Sequence, residues 1–170
     1  MPAFTPLRLE LKPMHKEAIP KALEKAEKYR LLNEPAQAES ICHDILEVDS
    51  GNQQALLTLL LALTDQFDQG VPVNRPRELL PHLDGEYERA YYAGIICERK
   101  ARERLNKGGP GASSVAYERL CDAMRWYEKA EALRPLDNDD ATLRWNACVR
   151  IIRDQHLKPS QEERLVLTSE

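Results

Sequence analysis

The chain has 170 residues, of which 24 are Lys or Arg and 28 are Asp or Glu, so its formal net charge is −4. This length favours a single domain with its own core, and 42% hydrophobic with 31% charged residues is typical of a folded globular protein rather than a disordered one. The slight acidic excess argues against a dedicated nucleic-acid-binding protein, because such proteins usually carry a basic surplus.

The first part of the chain predicts three long helices. Aromatic residues make up only 6% of the sequence and Gly occurs only 7 times, which favours helices over sheets. Apolar residues recur at helical spacing in three stripes: Leu23, Ala26, Tyr29 and Leu32; Ala38, Ile41, Cys42, Ile45 and Val48; Leu56, Leu59, Leu60, Leu63 and Phe67. Pro35 suits the first turn of the second helix, since its missing N–H costs nothing there. Residues 49–52 supply the stop before the third helix.

Residues 68–84 interrupt this pattern. Gly70, Pro72, Pro76 and Pro81 prevent a long helix, so we predict only a short one from about Arg77 to His82. A long helix follows over about Glu86–Asn106, and a Gly-rich loop at residues 107–112 ends it.

Two more helices complete the prediction. The first starts with Ser113 or Ser114 as its cap and runs to about Leu133, before Pro135. Residues 137–140 cap the last helix, for which we expect these buried positions: Leu143, Ala147, Cys148 and Ile151. The sequence therefore predicts an all-α fold of six long helices and one short helix.

An internal repeat links two parts of the chain. Residues 38–49 align without a gap with residues 123–134, and the second segment fits the pattern A-x3-[FY]-x2-A-x4-P through Ala123, Tyr127, Ala130 and Pro135. This pattern resembles the second helix of the tetratricopeptide repeat (TPR) family. Counted from Ile19, one complete unit of the ~34-residue period carries the matching residues Ala26, Tyr29, Ala38 and Asn52. Counted from Tyr87, Gly94 takes the small eighth position.

The resemblance covers about residues 15–155 and implies a right-handed α–α solenoid of about three to four antiparallel helix pairs with degenerate repeats. We expect a single domain over residues 1–170, with extended or flexible tails at 1–12 and 157–170. The residues alone leave a generic α-solenoid or a helical bundle as alternatives. In repeats of this kind, each helix pair leaves an apolar face that only its neighbour covers.

The TPR-like register also implies where a partner binds. Family members place ligands on a concave groove lined by the first helix of each pair, and the corresponding positions here include Glu27, Arg30, Tyr91, Ile95, Glu98, Arg99, Asn146 and Arg150. Asn146 with Arg150 one turn later is a candidate pair for holding a peptide backbone or carboxylate. A surface or inter-helix role for these two residues stays open.

We find no catalytic, cofactor or metal motif in the sequence. The loop at residues 107–114 precedes a helix but lacks the G-x4-G-K-[ST] order, and Pro110 removes one backbone donor. Cys42 and His43 are adjacent, so on a helix they point about 100° apart and rarely face one metal ion. We therefore expect a protein that is not an enzyme and that holds no cofactor or metal.

The location of the protein is predicted from its apolar runs and cysteines. The most apolar stretch, Ala55–Leu63, is about half of the ~20 residues that span a bilayer, and the N-terminal residues show no signal-peptide pattern. The four cysteines (Cys42, Cys97, Cys121 and Cys148) lack ligand spacing and lie in helical patterns. We expect reduced thiols in a cytoplasmic protein that binds no membrane.

Two further surfaces are candidates for interaction. The basic run over residues 99–107 is a candidate for contact with an acidic peptide or phosphate, or else a solvated helix end. Near the termini, leucines alternate with other residues at Leu7, Leu9, Leu11, Leu165 and Leu167, which indicates short extended segments. These segments suggest a homodimer, and frayed ends are the alternative.

Taken together, the sequence predicts a non-catalytic protein–protein interaction module that binds a peptide or protein partner in a concave groove. The alternative is a helical regulatory or small-ligand-binding domain with a pocket near Tyr91, Trp126 and Trp145. A third hypothesis is an enzyme whose site the sequence does not reveal.

Overall fold

The computed structural model describes residues 6–161. Within this range the secondary structure is entirely helical, which confirms the predicted all-α class. The seven α-helices are α1 (Ile19–Leu31), α2 (Pro35–Val48), α3 (Gln53–Thr64), α4 (Asn74–Arg77), α5 (Glu86–Lys107), α6 (Ala112–Leu133) and α7 (Asp140–Asp154). Single 3₁₀ turns lie at Lys16–Ala18, Phe67–Gln69 and Leu80–His82.

Local chemistry sets several helix ends where the sequence predicts them. Pro35 occupies the first turn of α2. The Asn52 side chain caps α3 by accepting a hydrogen bond of 2.9 Å from the backbone N–H of Ala55. The predicted Ser cap of α6 is wrong. Gly111 precedes this helix with φ +74°, and Ser114 donates to the Gly111 carbonyl instead.

Consecutive helices pack on each other. The α1–α2 and α2–α3 contacts form one group, and the α5–α6 and α6–α7 contacts form another. The two groups meet where α3 faces α5, through a buried cluster to which the segment between them contributes: Leu56, Leu60, Phe67, Leu83 and Ile96. This arrangement brings α1, α3, α5 and α7 towards one face.

Small residues permit close helix approach. Ala26, Ala38 and Ala123 are fully buried, as their places in the repeat predict. Gly94 on α5 contacts the ring of Tyr127 on α6 so closely that an added Cβ would lie 2.5 Å from Tyr127 Cε1. Any larger side chain at this position therefore displaces the ring or the helix.

The interruption between α3 and α5 differs in detail from its prediction. Instead of one short helix over Arg77–His82, the chain forms α4 at Asn74–Arg77 and a separate 3₁₀ turn at Leu80–His82. Pro81 lacks the backbone N–H that a helix continuing from α4 would need, which explains the break.

The rotation of α7 about its axis also differs from the prediction. Cys148 is buried as expected, but Leu143 is 61% exposed. Ala141, two turns before Cys148 on the same side of the helix, takes the buried place, and Arg144 turns inward to meet Glu98. The contact with Glu98 fixes this orientation, and no local pattern in α7 encodes it.

The tails meet their predictions only in part. Residues 6–15 contain no helix or strand, and the side chains of Leu7, Leu9 and Leu11 are at least 88% exposed. The predicted C-terminal tail begins at residue 157, but Leu157 is buried against the α5–α7 core. Leu165 and Leu167 lie outside the described residues, and a homodimer stays a prediction.

Candidate functional site

A surface cleft of about 250 Å³ lies where α1, α3, α5 and α7 approach one another. We call it the arginine cleft, and it is lined by Arg30, Leu61, Tyr91, Tyr92, Ile95, Arg99 and Arg144. Tyr91, Ile95 and Arg99 share one side of α5 because residues four apart on a helix face the same way. The cleft therefore combines cationic, aromatic and aliphatic groups from four helices.

A second cavity of about 310 Å³ continues from the arginine cleft and shares Arg30, Leu61 and Tyr92 with it. We call it the leucine cavity, and its other lining residues are Glu27, Leu31, Gln54, Leu57 and Thr58. Glu27 accepts a hydrogen bond of 3.0 Å from the Gln54 side chain. The two spaces form one groove with a cationic part and a more apolar part.

Asp65, at the end of α3, holds two of the cleft's arginines. Its carboxylate accepts a hydrogen bond of 2.8 Å from Arg30 Nε, and its other oxygen accepts one from Arg99 Nη1. Arg99 Nη1 also donates to the Thr64 hydroxyl at 2.8 Å. Burial lowers the pKa of Arg99 and the charge of Arg30 lowers it further, although Asp65 opposes the shift.

Glu98 holds the third arginine from behind the cleft. Its carboxylate is completely buried and accepts hydrogen bonds from Arg144 Nε at 3.1 Å, Arg102 Nη2 at 2.8 Å and the Tyr127 hydroxyl at 2.7 Å. Burial and the charge of Glu98 both raise the pKa of Tyr127, so its hydroxyl stays a neutral donor. Burial acts to lower the pKa of Arg144, but the charge of Glu98 together with the contacts to Tyr127 and the hydrogen bonds to Glu98 outweighs burial, so the pKa is raised.

Tyr91 and Tyr92 give the cleft an aromatic surface beside these charged groups. The rings of Tyr91 and Tyr92 meet edge to face with centroids 5.1 Å apart, and Tyr91 lies 5.9 Å from Tyr127. Burial raises the pKa of Tyr91 to about 12, so its hydroxyl is neutral at physiological pH. A neutral aromatic wall beside guanidinium groups suits a ligand that has both polar and apolar parts.

The structure brings three of the predicted partner-binding residues together, because Arg30, Tyr91 and Arg99 all line the arginine cleft. Glu98 is predicted to face the groove, but it is completely buried and is not a lining residue: on a helix it points about 100° away from Arg99, towards Tyr127. Asn146 and Arg150 are exposed on α7 and are not among the residues that line the cleft.

Sequence reasoning missed Arg144, Tyr92 and Asp65. Arg144 and Tyr92 line the cleft, and Asp65 ties Arg30 to Arg99. Asp65 comes just after an apolar helix, a place with no distinguishing pattern. Glu98 and Arg102 stand four residues apart, a spacing that pairs charges on a helix. This spacing indicates an ion pair at Glu98, but it does not point to Arg144 as the second cation.

Two of the three aromatic residues named for the alternative pocket, Tyr91 and Trp126, line different cavities. Tyr91 lines the arginine cleft, whereas Trp126 lines a different cavity of about 510 Å³ next to Leu80 and Ala93. Trp145 packs against the α5–α7 core. No cavity described for residues 6–161 contains all three of these side chains.

Most of the basic run over residues 99–107 is engaged within the protein. Lys100 and Lys107 lie 2.9 and 2.6 Å from the two carboxylate oxygens of Glu103. Arg104 donates to the carbonyls of Gly108 and Pro110, which closes the loop after α5. Arg99 is the member of this run that reaches the cleft.

Two further features, metal-holding groups and membrane-spanning helices, are absent from the part of the chain that the structure describes. Within residues 6–161, no group of three or more His, Cys, Asp or Glu side chains is placed to hold a metal ion. Every helix in that range is too short or too polar to cross a lipid bilayer. Comparisons of the chain with protein-family models, with curated proteins and with solved structures give no match.

Proposed function

We propose that this protein is a non-catalytic interaction module that binds a peptide or protein segment in the groove formed by the arginine cleft and the leucine cavity. The observation that carries the proposal is that four helices, α1, α3, α5 and α7, contribute side chains to this one groove. Such convergence of charged donors and apolar surface is what a binding site needs for orientation and for contact area.

The proposal includes a TPR-like solenoid as the architecture. The packing of consecutive helices supports this architecture. So does the close contact of Gly94 with Tyr127, because each of these residues occupies a position of the repeat pattern. In a solenoid, the first helices of successive pairs line the concave side. The membership of α1, α3 and α5 in the groove agrees with that geometry.

The shape of the groove favours an extended segment over a compact small molecule. The arginine cleft and the leucine cavity are each near or below the ~300 Å³ at the lower end of small-molecule sites. They lie side by side and share three residues, so successive side chains of one segment can occupy them in turn. We further propose a reducing, cytoplasmic setting, because Cys42, Cys97 and Cys148 are buried thiols within the helical core.

Selection of random 12-residue peptides on the wild-type protein tests the groove. Leu31 lines the leucine cavity and is 88% exposed, so Leu31→Ala removes groove surface with little effect on folding. Leu136 is 99% exposed and is not a lining residue of the groove, which makes Leu136→Ala the matched control.

We expect the selected peptides to bind the Leu31→Ala variant about five- to tenfold more weakly than wild type, since losing one apolar contact costs ~1–1.4 kcal/mol. Binding to the Leu136→Ala variant stays at the wild-type level. Selected peptides that bind both variants equally well, or a failure to select any peptide, would contradict the proposal.

A second candidate function is the binding of a small apolar ligand in the cavity beside Trp126. At about 510 Å³ this cavity falls within the ~300–1,000 Å³ range of small-molecule sites. Lys129 Nζ lies 5.5 Å from the Trp126 ring centroid, so a ligand that enters there changes the surroundings of the indole. Native mass spectrometry of the purified protein tests this function, and a retained small molecule lost in Trp126→Ala would support it.

A further inference from the structure

We infer that the groove selects an internal acidic–apolar sequence: a side-chain carboxylate of the partner binds in the arginine cleft, and a neighbouring apolar side chain fills the leucine cavity. This inference rests on the proposed function, and it names the chemistry of the partner. The ligand is a peptide segment that carries Glu or Asp next to a leucine-like residue.

The first argument is local charge. Of the described residues that line the arginine cleft, three are arginines and none is acidic. Within the described residues, the ion pairs of these three arginines use the carboxylates of Asp65 and Glu98. Glu27, which lines the adjoining leucine cavity, accepts a hydrogen bond from Gln54. The lining of the arginine cleft itself therefore carries an excess of cations, on a chain whose net charge is −4. An acidic group is the complement that this excess favours.

The second argument is donor capacity. A guanidinium carries five N–H donors. Within the described residues, Arg30 uses Nε on Asp65, Arg99 uses Nη1, and Arg144 uses Nε and Nη2 on Glu98. Each arginine thus keeps at least one nitrogen for a ligand, and the three side chains are 21%, 28% and 32% exposed.

The third argument is that the arginines are held in place. Asp65 fixes Arg30 and Arg99, and the buried carboxylate of Glu98 fixes Arg144. Ordering a free arginine on binding costs side-chain conformational freedom, and residues that are already paired avoid much of this cost. Fixed guanidinium groups also recognise the planar carboxylate better than a flexible lysine does.

The adjoining leucine cavity favours an acidic peptide over a nucleic acid or free phosphate as the anion that binds in the arginine cleft. Its aliphatic and aromatic lining, with Leu31, Leu57 and Tyr92, contributes to binding only when the ligand brings an apolar group. A nucleic acid is a long polyanion that the acidic chain repels beyond the cleft. Free phosphate has no apolar part. A peptide with alternating acidic and apolar side chains satisfies both halves of the groove.

The test uses two eight-residue peptides, one of alternating Glu and Leu and one of alternating Gln and Leu. Both are N-acetylated and C-amidated, so that neither presents a terminal charge. Binding is measured by isothermal titration calorimetry at low and at moderate salt. Arg30→Gln is the test variant because Arg99 still pairs with Asp65 there, which keeps the fold. Arg125→Gln is the control, since Arg125 is 75% exposed and pairs with Asp122 on α6.

We expect wild type to bind the Glu peptide at least tenfold more tightly than the Gln peptide, with the preference falling as salt is raised. Arg30→Gln weakens binding of the Glu peptide about fivefold or more and leaves the Gln peptide within twofold. Arg125→Gln matches wild type with both peptides.

Two results would overturn the inference. Equal affinity for the Glu and Gln peptides, with both weakened by Leu31→Ala, removes the acidic preference and leaves the groove proposal standing. Displacement of the Glu peptide by 10 mM inorganic phosphate or by a short single-stranded oligonucleotide, at constant ionic strength, assigns the cleft to another class of anion. Failure of peptide selection itself, by contrast, contradicts the proposed function.

Discussion

The carboxylate of Glu98 on α5 accepts a hydrogen bond of 2.7 Å from the hydroxyl of Tyr127 on α6, and both side chains are completely buried. Arg144 from α7 binds the same carboxylate, so one acidic group connects three consecutive helices. A buried charge is stable only when it is paired and hydrogen-bonded, and this one receives donors from all sides. The arrangement joins the core of the α5–α7 group to the base of the arginine cleft.

Two cations, Arg144 and Arg102, bind the carboxylate of Glu98. We expect the loss of Arg144, the less exposed of the two, to destabilise the fold more than the loss of Arg102. We expect Arg144→Met to lower the free energy of unfolding by about 3 kcal/mol, because it leaves a buried carboxylate with one cation fewer. Arg102→Met costs about 1 kcal/mol or less, since the Arg102 side chain is 48% exposed and water screens its charge. Urea denaturation followed by circular dichroism measures both values, and equal losses would contradict the ranking.

Because Gly94 lies against the ring of Tyr127, we expect the effect of Gly94→Ala on stability to change sign when that ring is removed. In wild type, Gly94→Ala destabilises by about 1–2 kcal/mol, because the clash with the ring outweighs the ~1 kcal/mol that Ala gains over Gly in a helix. In a Tyr127→Ala background the ring is absent, and the same change stabilises by about 0.5–1 kcal/mol.

The four proteins of this double-mutant cycle are compared by urea unfolding. Tyr127→Ala by itself costs several kcal/mol through the cavity it leaves, so the cycle is measured at low temperature where all four stay folded. A destabilising effect of Gly94→Ala in both backgrounds would show that Tyr127 is not what limits the space at this position.

Glu39 on α2 predicts a loss of stability in acid. Burial acts to raise its pKa, but hydrogen bonds from Arg75, Gln66 and His43 together with the charge of Arg75 outweigh burial and lower the pKa below its ordinary 4.5. The unfolded chain then binds a proton more readily than the folded one, so the stabilisation is present above about pH 4.5 and is lost as the pH falls through the folded pKa.

We therefore expect Glu39→Gln to reduce the free energy of unfolding at pH 7 and to approach wild type near pH 3. The control is Glu47→Gln, an exposed position on the same helix, which keeps the wild-type dependence on pH. Urea titrations at several pH values give the comparison. A Glu39→Gln deficit that persists unchanged at pH 3 would contradict the lowered pKa.

The cysteines differ in reactivity. Burial raises the pKa of Cys42 and of Cys148 to about 12, so at pH 8 only about one molecule in ten thousand carries the reactive thiolate at either position. Cys121 is partly exposed. With iodoacetamide at pH 8, we expect Cys121 to be alkylated at least tenfold faster than Cys42, as measured by mass spectrometry of peptides.

Unfolding in urea is the control for alkylation, since it exposes all four thiols and should make their rates similar. Native labelling of Cys42 at the rate of Cys121 would show that α2 opens far more readily than its buried contacts indicate.

Much of the helical framework follows from local chemistry. Pro35 and Asn52 mark helix starts through a missing N–H and a side-chain cap, and both effects are confined to a single turn. The periodic placement of Tyr91 and Arg99 on α5 likewise identifies one face of that helix, and this face lines the cleft. Such features need only the residues themselves and the geometry of a helix.

The rest depends on contacts between distant parts of the chain. Glu98 and Arg99 are adjacent and both charged. Glu98 turns inward because Tyr127 on α6 and Arg144 on α7 donate hydrogen bonds to it. The rotation of α7 follows from the Arg144–Glu98 pair, which spans 46 positions in sequence. Asp65 joins α1 to α5 in the same way. No periodicity within one helix contains this information.

The packing of each long helix on its immediate neighbours also determines how the chain folds. A helix that meets its partner across a connection of a few residues closes only a short loop, and short loops form within about 10–100 ns. Helical proteins dominated by such local contacts fold in microseconds to milliseconds. During synthesis, α1–α3 can therefore assemble before α5 has left the ribosome. The long-range pairs that build the arginine cleft end with Arg144 on α7, which binds Glu98 across 46 positions of the sequence. We therefore expect the binding surface to be completed only after α7 has been synthesised.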